Sequence, residues 1–239
     1  MEDELEKLIK ACEDRDLEKV KSLIGKGLDI DLEYKFWTPL TKASEKGHSD
    51  IVEYLVENGA KINEENSYGW TALMCASMNG RLDIVEYLVE NGADVNIINN
   101  AGNTALILAL MDGHLDIVEY LIENEADVKP KNSCGWTALM YILKNKQSEE
   151  NNQLIENSKL KELIDFFIEN GGSIDLKKYH TKDKDKMLPL YKFIAGTIND
   201  IIRNDGGNLK KIKDLVDNGK NDYMKKIFKN VDEKCNNEI

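Results

Sequence analysis

Asp-Ile-Val-Glu-Tyr-Leu stands at residues 50–55, again at 83–88 and again at 116–121, with a step of 33 residues each time. A fixed period of this length means one supersecondary unit stacked on copies of itself. A single unit cannot bury its apolar face without a neighbour, so the copies share one core. An array built this way offers an extended surface, and surface recognition is the function to expect of it.

Working outward from the second copy gives the unit. Gly69-Trp70-Thr71-Ala72-Leu73 opens a first helix and Asn79-Gly80 closes it; residues 83–90 form a second helix, and Asn91-Gly92-Ala93-Asp94-Val95-Asn96 leaves it. Thr38, Thr71, Thr104 and Thr137 stand where an N-cap hydroxyl can accept a backbone N–H, and Pro39 takes the first helical place, where its missing N–H costs nothing. Asp50, Asp83 and Asp116 fall in the first turn of the second helix, at the positive end of its dipole. Ile51, Val52, Leu55 and Val56 make a helical apolar stripe. Gly59, Gly92 and Gly171 suit a helix end in the left-handed conformation. At the equivalent place the third hexapeptide leads to Glu125, where a side chain costs roughly 1–2 kcal/mol, so a strained turn is expected there.

The run Gly-Trp-Thr-Ala-Leu, then Gly-Arg-Leu-Asp-Ile-Val-Glu-Tyr-Leu, then Asn-Gly-Ala-Asp-Val-Asn at 69–96 resembles the ankyrin repeat along its whole length. The resemblance covers 37–135 most closely, extends over 1–36 and 136–176, and reaches 187–231 only through helical pattern. It implies an all-α solenoid: helix pairs joined by protruding β-hairpin loops, about six repeats including degenerate caps, with hairpins and first helices on a concave side. The family often has His after Thr-Pro-Leu, tied back to the Thr; here that place holds Thr41, Met74, Ile107 and Met140. Looser hairpin stems are expected from the loss of that tie.

The whole chain is expected to be one domain. Residues 1–32 form an N-terminal cap in which Glu6-Lys7-Leu8 replaces Thr-Pro-Leu. Full repeats follow at 33–65, 66–98 and 99–131. A fifth, 132–176, is interrupted: its second helix at 163–169 is offset by 46 residues from 117–123 instead of 33, and the polar run 145–158 supplies most of the difference as a loop. In 177–239 the spacing of Leu190, Ile194, Ile198 and Ile201, and of Leu209, Ile212 and Leu215, gives a degenerate sixth repeat and a closing helix.

Charge divides the chain. Residues 1–176 carry 17 Lys+Arg against 34 Asp+Glu, whereas 177–239 carry 15 against 10. An acidic array repels phosphate, which argues against nucleic-acid binding by the main body and favours a protein or peptide partner of basic character. No run of 18 apolar residues is present and the N-terminus is acidic, so neither a membrane span nor a secretory signal is expected. The cysteines at 12, 75, 134 and 235 are scattered, as in a reducing compartment. A monomer in the cytoplasm is expected, with the nucleus or the interior of a host cell as further addresses.

Chemistry-bearing motifs are scarce. His48 and His114 hold one place in different repeats, beside the glycine of the interhelical turn, which points to a structural hydrogen bond; His180 lies among Lys and Asp. No Gly-rich phosphate loop, Cys/His metal spacing or nucleophile elbow is found. No catalytic residue, metal or cofactor is expected.

The candidate binding residues are therefore aromatic and polar. Trp37, Trp70 and Trp136 each precede the Thr that opens a first helix, with Asn103 in the same place of the remaining repeat. The resemblance puts that place at the hairpin base on the concave side, flanked by Tyr34 and Tyr68. Glu45, Lys46, Met78, Asn79, Met111, Asp112, Lys144 and Asn145 end the first helices on the same face. Large aromatics rimmed by polar groups have the composition of a binding hot spot. The other reading of each Trp is that it covers the start of its own helix and braces the next hairpin. An alternative function is a structural or regulatory subunit that associates through the basic segment beyond 177.

Overall fold

The structure, a computed structural model, describes residues 2–145 and 170. The insertion at 146–158, the second helix expected at 163–169, Gly171, His180 and the segment 177–239 lie outside the described residues. The chain divides into two compact units, Met1–Pro130 and Lys131–Ile239.

The first unit is built from four helix pairs. They are α1 (Glu2–Glu13) with α2 (Leu17–Ile24), α3 (Pro39–Lys46) with α4 (Ser49–Glu57), α5 (Ala72–Met78) with α6 (Leu82–Glu90), and α7 (Ala105–Asp112) with α8 (Leu115–Glu123). Within the unit α1, α3, α5 and α7 stack in one layer and α2, α4, α6 and α8 in a second, and the first layer is the more closely packed. Between pairs the chain makes hairpin loops, with one isolated antiparallel bridge, Tyr34 to Trp37, in this unit among the described residues.

Local chemistry sets each helix end. Thr38, Thr71 and Thr104 are N-caps whose hydroxyls accept from the backbone N–H of Thr41, Met74 and Ile107. Each cap satisfies a donor that the first turn leaves without a partner, worth about 1 kcal/mol. Helices α4 and α6 end in a paired hydrogen-bond closure: in α4 Gly59 N–H donates to Val56 and Ala60 N–H to Leu55, with Gly59 at φ +90°. Glu125 closes α8 the same way, donating to Ile122 while Ala126 donates to Leu121, but at φ +66°. The expected strained turn is present.

The core repeats with the same period. Ile51, Val52 and Leu55, then Ile84, Val85 and Leu88, then Ile117, Val118 and Leu121 are fully buried on the second helices. Val56 and its equivalents are only half-buried, so the inward stripe is narrower than the sequence pattern suggests. On α7 every residue from Ala105 to Leu110 is buried, as are the matching runs Pro39–Ser44 on α3 and Ala72–Ser77 on α5. At roughly 1.5–3 kcal/mol for a fully buried aliphatic side chain, these residues hold the stack together.

Polar side chains link one repeat to the next. His48 Nε2 lies 3.0 Å from the carbonyl of Glu13, and His114 Nε2 lies 3.1 Å from that of Met78, so both histidines fill structural roles at equivalent sites. Asn63 and Asn96 each accept, through Oδ1, the backbone N–H of a residue on the following loop, Asp94 and Asp127, and each donates through Nδ2 to a carbonyl there.

The second unit is described over its hairpin and first helix. Lys131 and Thr137 form an antiparallel bridge, and α9 (Ala138–Asn145) follows with the Thr137 hydroxyl accepting from Met140 N–H.

Candidate functional site

The hairpin bases are held by asparagine. Asn66, Asn99 and Asn132 open three successive repeats, are buried, and each accepts two backbone N–H groups of its own hairpin through Oδ1. For Asn66 the donors are Tyr68 at 3.0 Å and Trp70 at 2.9 Å, and its Nδ2 donates to the carbonyl of Phe36 on the preceding hairpin at 2.7 Å. The stems therefore have a polar tie without the family's histidine. In the first full repeat Thr41 adds another: its hydroxyl accepts from Thr38 N–H while Thr38 caps Thr41 in return. The sequence reading missed this asparagine ladder, although its 33-residue period was visible.

The three tryptophans are all half-buried but have different neighbours. The ammonium of Lys42, itself buried, sits 3.5 Å from the Trp37 ring centroid and 2.8 Å from the Glu45 carboxylate. One face of Trp37 is thus occupied by a side chain of its own first helix. Trp136 packs on Tyr141 with centroids 4.9 Å apart, and Tyr141 receives a hydrogen bond from Asn132. Trp70 has no ring or cation partner among the described residues.

The remaining expected positions fall as follows. Tyr34 is half-buried with Lys35 over its ring at 4.7 Å, and Tyr68 is 50% exposed. Glu45 and Lys46 end α3 half-buried and pair with each other at 3.8 Å. Met78 and Met111 are half-buried; Asn79, whose Nδ2 donates to the Cys75 carbonyl, and Asp112 are exposed. Asn103 does not stand open beside the tryptophans: it is buried, and its Oδ1 has no partner. Lys144 and Asn145 lie in the last turn of α9, within the second unit. Under the Trp37 cluster the Cys75 thiol is pushed up to about 12, by burial first and by the Glu45 carboxylate second, with Lys42 opposing.

Phe36 was not among the expected positions. It is 50% exposed and its ring lies 4.7 Å from that of Tyr68 on the next hairpin. The signal that could have found it is positional: Phe36 stands where later repeats have Gly69, Gly102 and Gly135, and it shares their left-handed backbone at φ +74°. Lys35 before it has φ +47°. Two left-handed side-chain residues in one tip cost roughly 1–2 kcal/mol each.

Helix pairs at a 33-residue period, N-capped by threonine and joined by asparagine-anchored hairpins, define a repeat array whose variable side chains are gathered at hairpins and first-helix ends. A family model described as ankyrin repeats, in three copies, matches residues 8–99 and 96–164, and the chain belongs to the ankyrin-repeat family. Repeats of this family generally mediate protein–protein interaction and are typically not enzymes. No curated protein matches the chain. No helix among the described residues is long and apolar enough to cross a membrane, and no group of His, Cys, Asp or Glu among them could hold a metal ion.

Proposed function

We propose that the protein is a non-enzymatic binding module that takes a protein or peptide partner on its hairpin and first-helix side, with Trp70 near the centre of the contact. The observation that carries this reading is the free ring of Trp70. It is half-buried like the other two but has no aromatic or cationic neighbour among the described residues, whereas Trp37 is covered by Lys42 and Trp136 pairs with Tyr141. Tyr68, two residues away in the chain, is 50% exposed and adds aromatic surface to the same hairpin. Interface hot spots are rich in Trp and Tyr because these rings remove a large area from water at small entropic cost. The partner has basic character, since the array up to residue 176 carries twice as many acids as bases.

The test is Trp70→Ala, with binding and thermal unfolding measured on the same variant. Binding should weaken by more than ~2 kcal/mol, the hot-spot threshold, while stability changes little. A large loss of stability with unchanged affinity would make Trp70 a brace and sink the reading. Association with a basic partner should also slow as salt rises, because exposed charges act through a screened field.

A further inference from the structure

We propose that Glu33, Phe36 and Tyr68, at the first two hairpin tips, form a binding site for an arginine side chain of a partner. The Phe36 and Tyr68 rings meet at 4.7 Å with 47° between their planes, and each residue stays 50% exposed, so ring surface remains open to water. Phe36 is not there to make the turn. Gly69, Gly102 and Gly135 fill the same place at φ +75°, +77° and +84°, which glycine adopts without the penalty a side chain incurs. An exposed aromatic kept in a strained backbone position is an observation from which function can be argued.

Glu33 supplies the second element. It opens its repeat where Asn66, Asn99 and Asn132 turn inward to bond their own hairpins. Glu33 reaches across to the next hairpin instead: one oxygen accepts the Ser67 N–H at 2.7 Å and the other accepts the Ser67 hydroxyl. Its carboxylate is thereby fixed on Ser67, the residue directly before Tyr68 in the chain. No Lys or Arg neutralises it among the described residues; the nearby Lys35 is engaged by Glu6 at 3.5 Å and by the Tyr34 ring. A fixed, uncompensated carboxylate next to open aromatic surface suits guanidinium. That group is planar, weakly hydrated and always charged; it stacks on rings and donates parallel hydrogen bonds to a carboxylate. Lysine, a compact and strongly hydrated charge, fits less well.

This inference rests on the reading of the array as a recognition surface, yet its test needs no knowledge of the natural partner. A blocked Gly-Arg-Gly peptide is titrated into the full chain while the ring signals of Phe36 and Tyr68 are followed by NMR, in parallel with the citrulline peptide, which has the same shape without the charge. The arginine peptide should shift both rings saturably and the citrulline peptide should not. Phe36→Gly and Glu33→Gln should each weaken the arginine peptide about fivefold or more. Phe36→Gly should keep its thermal midpoint, since glycine is at ease in this turn; should it fail to fold, Glu33→Gln, which retains an accepting oxygen for Ser67, decides alone. Equal binding of the citrulline peptide, unchanged affinity in the variants, or no saturable shift would each overturn the site. Failure here leaves the Trp70 reading standing, because that one is measured on the partner itself.

Discussion

At the hairpin bases Asn66, Asn99 and Asn132 recur without change, and Thr38, Thr71 and Thr104 recur beside them; at the tips, one to three residues beyond each opening residue, the same period carries Tyr34-Lys35-Phe36, Ser67-Tyr68-Gly69, Asn100-Ala101-Gly102 and Ser133-Cys134-Gly135. The base residues bond to their own backbone, so the fold dictates them. Most tip side chains border water, and the last residue of each tip is left-handed. Variation is therefore tolerated at the tips, and loops held on a rigid scaffold are where recognition is usually found.

Four experiments can break or sharpen this contrast between constrained interior and free tip. The largest effect is expected in alkali. Burial pushes the thiols of Cys12 and Cys75 up to about 12, while Cys134 sits exposed at a tip. Above about pH 9 the unfolded chain releases these protons and the folded chain keeps them, so stability should be fully present below that pH and decline from about 9 towards 12. Denaturant midpoints across this range should fall less steeply in Cys75→Ala than in wild type; identical slopes for the two would show that the Cys75 thiol does not matter.

Next in size is the base. Asn66→Ala strips the acceptor from two hairpin N–H groups and the donor from the Phe36 carbonyl, and should cost roughly 2–3 kcal/mol in denaturant unfolding. Glu33→Ala, at the same place in the preceding repeat but with exposed hydrogen bonds, should cost less than about 1 kcal/mol. Equal losses would erase the distinction between a buried opening residue and an exposed one.

Room at the turn is tested by two glycines. A Cβ on Gly69, at φ +75°, would lie 3.0 Å from Asn100 N and Asn99 Cα, whereas one on Gly59, at φ +90°, meets nothing within 4 Å. Gly59→Ala should therefore cost about 1 kcal/mol, the conformational part alone, and Gly69→Ala visibly more. The smallest effect is a gain: Glu125→Gly relieves the left-handed side chain that closes α8 and should raise stability by about 0.5–1 kcal/mol. A loss there would mean that the Glu125 side chain contributes contacts outweighing its strain.

The 33-residue period, read from three hexapeptides, was enough to place the helix pairs, their threonine caps, the left-handed closing residues including Glu125, and the structural histidines. All of these depend on interactions within one repeat or on a residue's place in the period, which a linear sequence displays directly. Only the tertiary structure revealed that Lys42 covers Trp37, that Asn103 is buried, and that Phe36 meets Tyr68. The Phe36 contact joins residues about one repeat apart, and whether such rings touch or stay open depends on how the two hairpins stack and on rotamers chosen by packing. Lys42 shares a repeat with Trp37, but its long side chain could equally have extended into water; the neighbouring Glu45, and the ring itself, decided its direction. Periodicity fixes where a side chain starts, and packing across repeats decides where it ends.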